Sequence, residues 1–305
     1  MLSILIPTYD YDCRHLVNDL HGQAEQAGIK YEIIVADDAS PTYIYKERNR
    51  EINRLSHCRF IELAENVGRA RIRNRLADEA QYEWLLFMDC DAEVISPTFI
   101  TDYLCHTDAE VICGGLCHAD TLPSPTVSLR YAYEKRADKR RPARYRSANP
   151  YEQFTPFNFL ILQKLFQTIR FDETIYDYGH EDTLFGIALQ HRRAVIRHID
   201  NPLRHVGLEN NCLFLEKTRL ALHNLAAMEG IMQGHSSLIN AYRQLCRFRL
   251  HGLVAAWFCK HEQRLVAHLT GLSPHLIMFF IYKLGYYCAI KSGCKCQHPM
   301  KQEKD

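Results

Sequence analysis

Two aspartates one residue apart, Asp89 and Asp91, stand directly behind the apolar run Trp84-Leu85-Leu86-Phe87-Met88. A near-continuous apolar run is what a strand covered on both faces shows. Its carboxyl end would deliver both side chains to where open α/β sheets bind ligands. Hard oxygen ligands at that spacing suit Mg²⁺ or Mn²⁺ held together with a substrate's phosphates. Asp-x-Asp is also an ordinary polar turn, so the rest of the chain has to decide. Two other strand ends carry similar loops, Thr8-Tyr9-Asp10 behind Pro7 and Asp37-Asp38-Ala39-Ser40. Further along, Glu181-Asp182 opens a helical pattern, and His205 follows Asn201-Pro202.

The elements that must position these groups are legible. Leu2 to Ile6, Tyr31 to Ala36, Arg59 to Leu63 and Trp84 to Met88 read as strands, with Glu110 to Cys113 as a fifth. Helical spacing follows each of the first three: Leu16, Val17 and Leu20 before Gly28, a polar stretch Lys46 to Leu55, and Asn66-Val67-Gly68 opening a helix to about Ala80. This alternation predicts an α/β domain with a mainly parallel sheet flanked by helices. Right-handed crossovers then put all three acidic loops at one sheet edge. Asn158 to Leu162 and Ala194 to Ile199 read as later strands, with a helix from about Thr183 between them.

Between Ala119 and Phe157 the periodicity fails, and Pro123, Pro125, Pro142, Pro150 and Pro156 punctuate it. The segment carries Lys135, Arg136, Lys139, Arg140, Arg141, Arg144 and Arg146. A loop this long predicts either a solvated surface segment or a mobile acceptor-side flap that meets an anion. Beyond about Cys212 the chain reads as helical, near 213–228 and 238–248, ending in the aromatic-rich Leu276 to Ile290. At 15 residues that last segment is short of the ~20 that span a bilayer. It could lie in a membrane interface or pack on protein. Domains are expected at 1–210 and 211–305.

The formal net charge of +1 excludes a whole-molecule electrostatic nucleic-acid binder, so no nucleic-acid partner is expected. The start of the chain reads as a first strand, not a signal segment, and the twelve cysteines as reduced and mostly buried. Cys294-Lys295-Cys296 with His298 lacks a second ligand pair for a zinc knuckle.

Taken together, Pro7-Thr8-Tyr9, Asp37-Asp38-Ala39-Ser40, Asn66-Val67-Gly68 with Arg73-Asn74, Asp89-Cys90-Asp91 and Glu181-Asp182 resemble the family 2 glycosyltransferases. The likeness runs from about Leu2 to Gly207. It implies the GT-A (Rossmann-like) fold, here with a C-terminal helical extension. It also implies inverting transfer of one sugar from a nucleotide-diphosphate sugar, a UDP-sugar being favoured, to a glycan or lipid-linked acceptor. By the resemblance, Pro7, Thr8, Tyr9, Asp37 or Asp38, Gly68, Arg73, Asp89 and Asn158 face the donor, with Arg73 over or near the base. Asp91, Asp89 and His205 would hold Mn²⁺ or Mg²⁺, Asp91 most directly. Asp182 would be the general base and Glu181 would orient the acceptor.

The Gln-x-x-Arg-Trp box of processive synthases is absent, which points to single-sugar transfer in surface polysaccharide or lipopolysaccharide synthesis. The expected location is cytoplasmic, with peripheral contact at the inner membrane face. A nucleotidyltransferase would need a Gly-rich phosphate loop after the first strand, and Pro7-Thr8-Tyr9-Asp10 has none. A non-catalytic protein on the same scaffold would be marked by loss of Asp91 or Asp182, and both are present.

Overall fold

The computed structural model describes residues 1–174 and 179–294. In chain order the elements are β1 Leu2–Thr8, α1 Arg14–Gln26, β2 Tyr31–Asp37, α2 Tyr43–Asn49, β3 Cys58–Glu62, α3 Arg69–Glu79, β4 Trp84–Met88 and β5 Ala92–Val94. There follow α4 Phe99–Leu104, β6 Val111–Cys113, β7 Leu116–Cys117, α5 Ser128–Asp138, α6 Ala143–Arg146, β8 Asn158–Leu162 and α7 Gln163–Ile169. The last are α8 Glu181–His191, β9 Ile196–His198, β10 Leu203–His205, α9 Asn211–Ala227, α10 Ser237–Arg247, α11 His251–Leu269 and α12 Leu276–Lys291.

The chain divides into two compact units. The first comprises residues 1–119, 137–174 and 181–207 of those described, the second residues 120–136, 179–180 and 208–294. In the first unit a seven-stranded sheet runs in the order β3-β2-β1-β4-β8-β6-β9. All its pairings are parallel except those of β8 with β4 and β6. Strand order reverses between β1 and β4, so their carboxyl ends flank the crevice where doubly wound sheets take ligands. The strands bury both faces. Ile4, Ile6, Ile33, Val35 and Leu86 belong to one core with α1, and Leu5, Ile34, Leu85, Phe87 and Phe159 to the other with α3. That alternation is the period-2 consequence of the pleat.

The polar helix expected over Lys46 to Leu55 is a short α-helix, α2, that starts three residues earlier and passes into a 3-10 turn over Arg50–Arg54. The basic segment expected as a loop contains α5 and α6. Its prolines bracket these helices rather than interrupt them, since Pro125 opens a 3-10 turn and Pro142 precedes α6.

Arg146 on α6 is buried, and its donors reach backbone carbonyls and an imidazole. Nε donates to the Arg141 carbonyl, Nη1 to Cys113 O and His198 Nδ1, and Nη2 to Gly114 O and Ile199 O. A buried charge survives only when its donors are satisfied, and these carbonyls tie the ends of β6 and β9 to one side chain. The bond to Nδ1 requires a neutral His198, whose Nε2 then donates to the Pro150 carbonyl at 3.0 Å.

The second unit is helical. α12 packs on α9, α10 and α11. Its second half is buried, with Tyr282 accepting from Arg219 Nε at 2.6 Å and Tyr287 donating to Glu229 at 3.3 Å. No helix among the described residues is long and apolar enough to cross a membrane.

Burial, with the Arg146 charge adding to it, pulls His198 down to about 4. An unfolded histidine takes up its proton near pH 6.5, so the unfolded state binds more protons in between. Stability is therefore complete above about pH 6.5 and falls as pH drops toward 4. Denaturant unfolding should show a loss of about 2–3 kcal/mol between pH 7 and 4.5 from this group. His198→Asn, whose Oδ1 can accept from Arg146, should flatten that acid limb. An unchanged slope would rule His198 out as its source.

Candidate active site

The loops after β1 and β2 are stitched to one another. Thr8 pairs with Asp37 in register, and the Asp38 amide donates to the Thr8 carbonyl. The Asp10 amide donates to Ser40 Oγ at 2.7 Å, and Asp10 Oδ1 accepts from the Thr42 amide at 3.2 Å. Pro7 lies within β1, and buried Thr8 donates to the Tyr11 carbonyl. Tyr9 is 51% exposed, and its phenol is pushed up by partial burial and by the charges of Asp10, Asp38 and Asp37.

The two aspartates of the second loop do different work. Asp37 is 1% exposed and takes the amide and hydroxyl of Ser40 on its two oxygens. Asp38 accepts from the Val67 amide at 2.7 Å and the Gly68 amide at 3.0 Å. Burial pushes its carboxyl up against those two bonds. Asp38 thereby holds the turn that launches α3. Gly68, with φ of +85°, caps the helix in a conformation that L side chains rarely adopt.

α3 then presents Arg73 and Asn74 inward. Arg73, placed by the resemblance over or near a base, is 3% exposed, with Nη2 donating to Asp89 Oδ1 at 2.5 Å and Cζ 5.5 Å from the centre of the Phe171 ring. Asp89, expected as a metal ligand, is thus ion-paired to an arginine. The Asn74 side chain donates through Nδ2 to the Phe171 carbonyl and to Glu173 Oε1, and its Oδ1 accepts from the Phe171 amide. Arg71 lies 3.2 Å from Glu173.

Asp91 points to different company. Immediately after it the chain enters β5, which pairs antiparallel with β10 so that Ala92 faces His205. The Val206 amide donates to the Asp91 carbonyl, and His205 Nε2 lies 3.1 Å from Asp91 Oδ2. His205 is buried between the rings of Phe157 and His118, at 5.3 and 5.7 Å. Gly207 packs against the Asp91 side chain so closely that a Cβ there would overlap its Cβ and Oδ2. A carboxylate oxygen and an imidazole nitrogen at this separation are a donor set that suits Mn²⁺ or Mg²⁺.

Three residues near this pair carried no sequence signal. Tyr11 is pushed up to about 12 by burial and then by the charge of Asp91. His118 joins His205 by ring contact and Asp138 by its Nδ1 at 3.0 Å. Gly207 could be recognised only once β10 had been paired with β5.

Asn158, a donor-side residue by the resemblance, sits in the interior of the first unit. It is fully buried, its Oδ1 accepting from Tyr103 at 2.6 Å and its Nδ2 donating to the carbonyls of Gly115 and Asn201. Its polar atoms join β8 to the loops beyond β6 and β9.

Glu181 and Asp182 form the first turn of α8. Asp182 Oδ1 accepts from the Thr183 amide at 2.7 Å and hydroxyl at 3.2 Å, which fixes the carboxylate at the helix start. Glu181 lies 3.7 Å from Arg69 Nη1. Lys295, Cys296 and His298 lie outside the described residues.

A family model described as Glycosyl transferase family 2 matches residues 3–171. Among solved structures the chain is similar to the mannosyltransferase PcManGT from Pyrobaculum calidifontis in complex with GDP-Man and Mn²⁺. Identity there is 13% and TM-score 0.54, over 95% of this chain and 86% of that one. It is also similar to S. aureus TarS, at 16% identity and TM-score 0.51, over 96% and 55% of the two chains. TarS 1–349 in complex with UDP is 20% identical with a TM-score of 0.47, over 73% and 65%. The chain thus spans 55% of TarS and 65% of that shorter form. At these identities the likeness is one of fold. No curated protein matches the sequence.

Removing Arg73 would leave a partly buried Asp89 charge without its partner. Arg73→Met should cost about 2 kcal/mol or more in unfolding free energy. Adding Asp89→Asn should recover much of that loss. Additive losses in the double-mutant cycle would show that the pair is not coupled.

Proposed function

The chain belongs to glycosyl transferase family 2, and from that membership we propose that it moves one sugar from a nucleotide-diphosphate sugar to an acceptor hydroxyl with inversion. The observation that carries the reading is the Asp91–His205 pair just beyond β4, beside the crevice between β1 and β4. The donor would lie in that crevice, its nucleoside toward the loops after β1 and β2. Tyr9 is exposed there to stack or hydrogen-bond, and Asp38 holds the turn at Gly68 in place. PcManGT was solved with GDP-Man, and TarS 1–349 with UDP and with UDP-GlcNAc. A UDP-sugar is the donor class proposed here.

Asp91 and His205 would hold a divalent cation, Mn²⁺ or Mg²⁺, which when bound offsets the charge of the departing diphosphate as a Lewis acid. The neighbour PcManGT was solved with Mn²⁺. Asp89 contributes by anchoring Arg73, and with it α3 and the turn ahead of it, beneath the crevice.

The chemical step needs a base and a geometry. The acceptor oxygen forms a bond to the anomeric carbon as the bond from that carbon to the diphosphate oxygen breaks. The hydroxyl proton passes to the Asp182 carboxylate. The transition state has oxocarbenium character. One displacement from the face opposite the leaving group inverts the anomeric centre, so an α-linked donor gives a β-linked product. The bonds from Thr183 hold the Asp182 carboxylate ready for this, and Glu181 would orient the acceptor. A glycan or lipid-linked acceptor of surface polysaccharide or lipopolysaccharide synthesis fits single-sugar transfer.

Thermal unfolding with a panel of nucleotide sugars, with and without Mn²⁺, tests the donor site. A ligand at about a thousandfold over its Kd should stabilise by roughly 4 kcal/mol. Asp91→Ala should abolish the Mn²⁺-dependent part of that response. Asp182→Asn should keep it and lose turnover by at least about a hundredfold. Normal transfer by Asp182→Asn would remove it as the base. A wild-type protein that is folded and answers to no nucleotide would overturn the donor reading.

A further inference from the structure

The second unit carries an asymmetry that sugar transfer does not use. From Phe248 to Cys294 the sequence holds one acidic residue, Glu262, against Arg249, Lys260, Arg264, Lys283 and Lys291. Glu262 is buried and lies 3.3 Å from Arg219, so it offers no negative charge to the surface. Into the same stretch fall nine of the nineteen exposed large hydrophobics among the described residues. Scattered exposed apolar residues are ordinary, whereas a concentration rimmed by one sign of charge marks an interaction surface.

Two groups make up the surface. The turn between α11 and α12 and the start of α12 expose Leu272, Ile277, Met278, Phe280 and Ile281, Ile277 to 69%. Spacings of three and four put Ile277, Phe280 and Ile281 on one side of α12. Arg136 lies over the Phe280 ring at 5.4 Å, and Lys283 Nζ lies 5.0 Å from its centre. Both charged groups thus lie against the Phe280 ring at the root of the apolar tip. On α11 the exposed residues Leu253, Trp257, Lys260 and Arg264 follow at helical spacing, apolar at one end and cationic at the other.

We propose that this apolar and cationic face of α11 and α12 docks on an anionic lipid bilayer, the apolar tip entering the interface and the basic residues meeting the headgroups. Charge complementarity selects that occupant. A second copy of the same face would bring Lys260 and Arg264 toward like charges, which opposes self-association. A neutral apolar partner would leave the cationic rim unused. The surface lies on the bilayer and does not span it, because no described helix is long and apolar enough to cross. The second half of α12 takes no part, being packed in the unit's interior.

Sedimentation of the full chain with phosphatidylcholine vesicles, with and without phosphatidylglycerol, is the test. Binding should require the anionic lipid and fall as salt rises. Trp257, 45% exposed and one of two tryptophans, should shift its emission to the blue on binding. Ile277→Glu with Ile281→Glu should weaken partitioning at least about tenfold while circular dichroism and nucleotide-sugar binding stay unchanged. Lys260→Glu with Arg264→Glu should do the same at lower cost to the apolar packing. Equal binding to neutral vesicles, no binding to either, or full binding by both double variants would overturn the proposal. A vesicle-independent dimer abolished by the tip variant would overturn it in favour of self-association. Nucleotide-sugar binding is read separately, so failure here and failure of the transferase reading are told apart.

Discussion

A three-residue antiparallel ladder, Ala92–Val94 against Leu203–His205, sets the geometry of the candidate site. It joins segments more than a hundred residues apart and fixes one register. Slipping that register by a single residue would turn His205 to the opposite face of the strand. Because the ladder begins directly after Asp91, its first pair sets the imidazole against the carboxylate. The Val206 amide closes on the Asp91 carbonyl, and Gly207 leaves the room that the carboxylate fills. Remove the ladder and the two donors have no reason to meet.

Behind the ladder, buried polar side chains substitute for regular hydrogen bonding where strands end. Arg146 collects the carbonyls of Cys113, Gly114 and Ile199. Asn158 collects those of Gly115 and Asn201 and accepts from Tyr103. An unsatisfied buried carbonyl costs as much as a lost hydrogen bond, so these two residues allow β6 and β9 to stop short and send their loops toward β10. The charge of Arg146 is tolerated because every nitrogen has an acceptor, and that demand in turn keeps His198 neutral. The carboxylate of Asp37, closed on Ser40, holds its own loop in the same way.

What was legible follows from this division of labour. The long parallel strands announce themselves by apolar runs, because burial on both faces leaves no other composition. The helices between them announce themselves by spacing. From those alone the sheet edge with Thr8, Asp37 and Asp89 could be assembled correctly. β5, β7 and β10 are two or three residues long, too short to carry a period, yet β10 brings His205 to Asp91. His118 and Tyr11 stayed hidden for the same reason, since only tertiary contact distinguishes them from other polar loop residues. α5 was hidden by composition. Its arginines and tyrosines gave no apolar stripe, although Tyr133 packs on Phe214 and Phe279 inside the helical unit.

Asp89 and Asp91 have unlike partners, and the difference is electrostatic. Asp89 is compensated by Arg73, so its charge is already balanced in the folded chain. Asp91 faces an imidazole that can be neutral and act as a donor atom. In the proposed reading, the cation would meet one carboxylate and one imidazole at this point. So small a set leaves most of the coordination shell of Mn²⁺ or Mg²⁺ to other oxygens, from water or from phosphate. In such a site the cation and a diphosphate each supply what the other lacks. Their binding is then linked, and by reciprocity each raises the affinity for the other by the same factor. Had Arg73 been absent, a second carboxylate charge would have favoured the cation alone and repelled the diphosphate. In the proposed site, pairing Asp89 with Arg73 would favour taking both together.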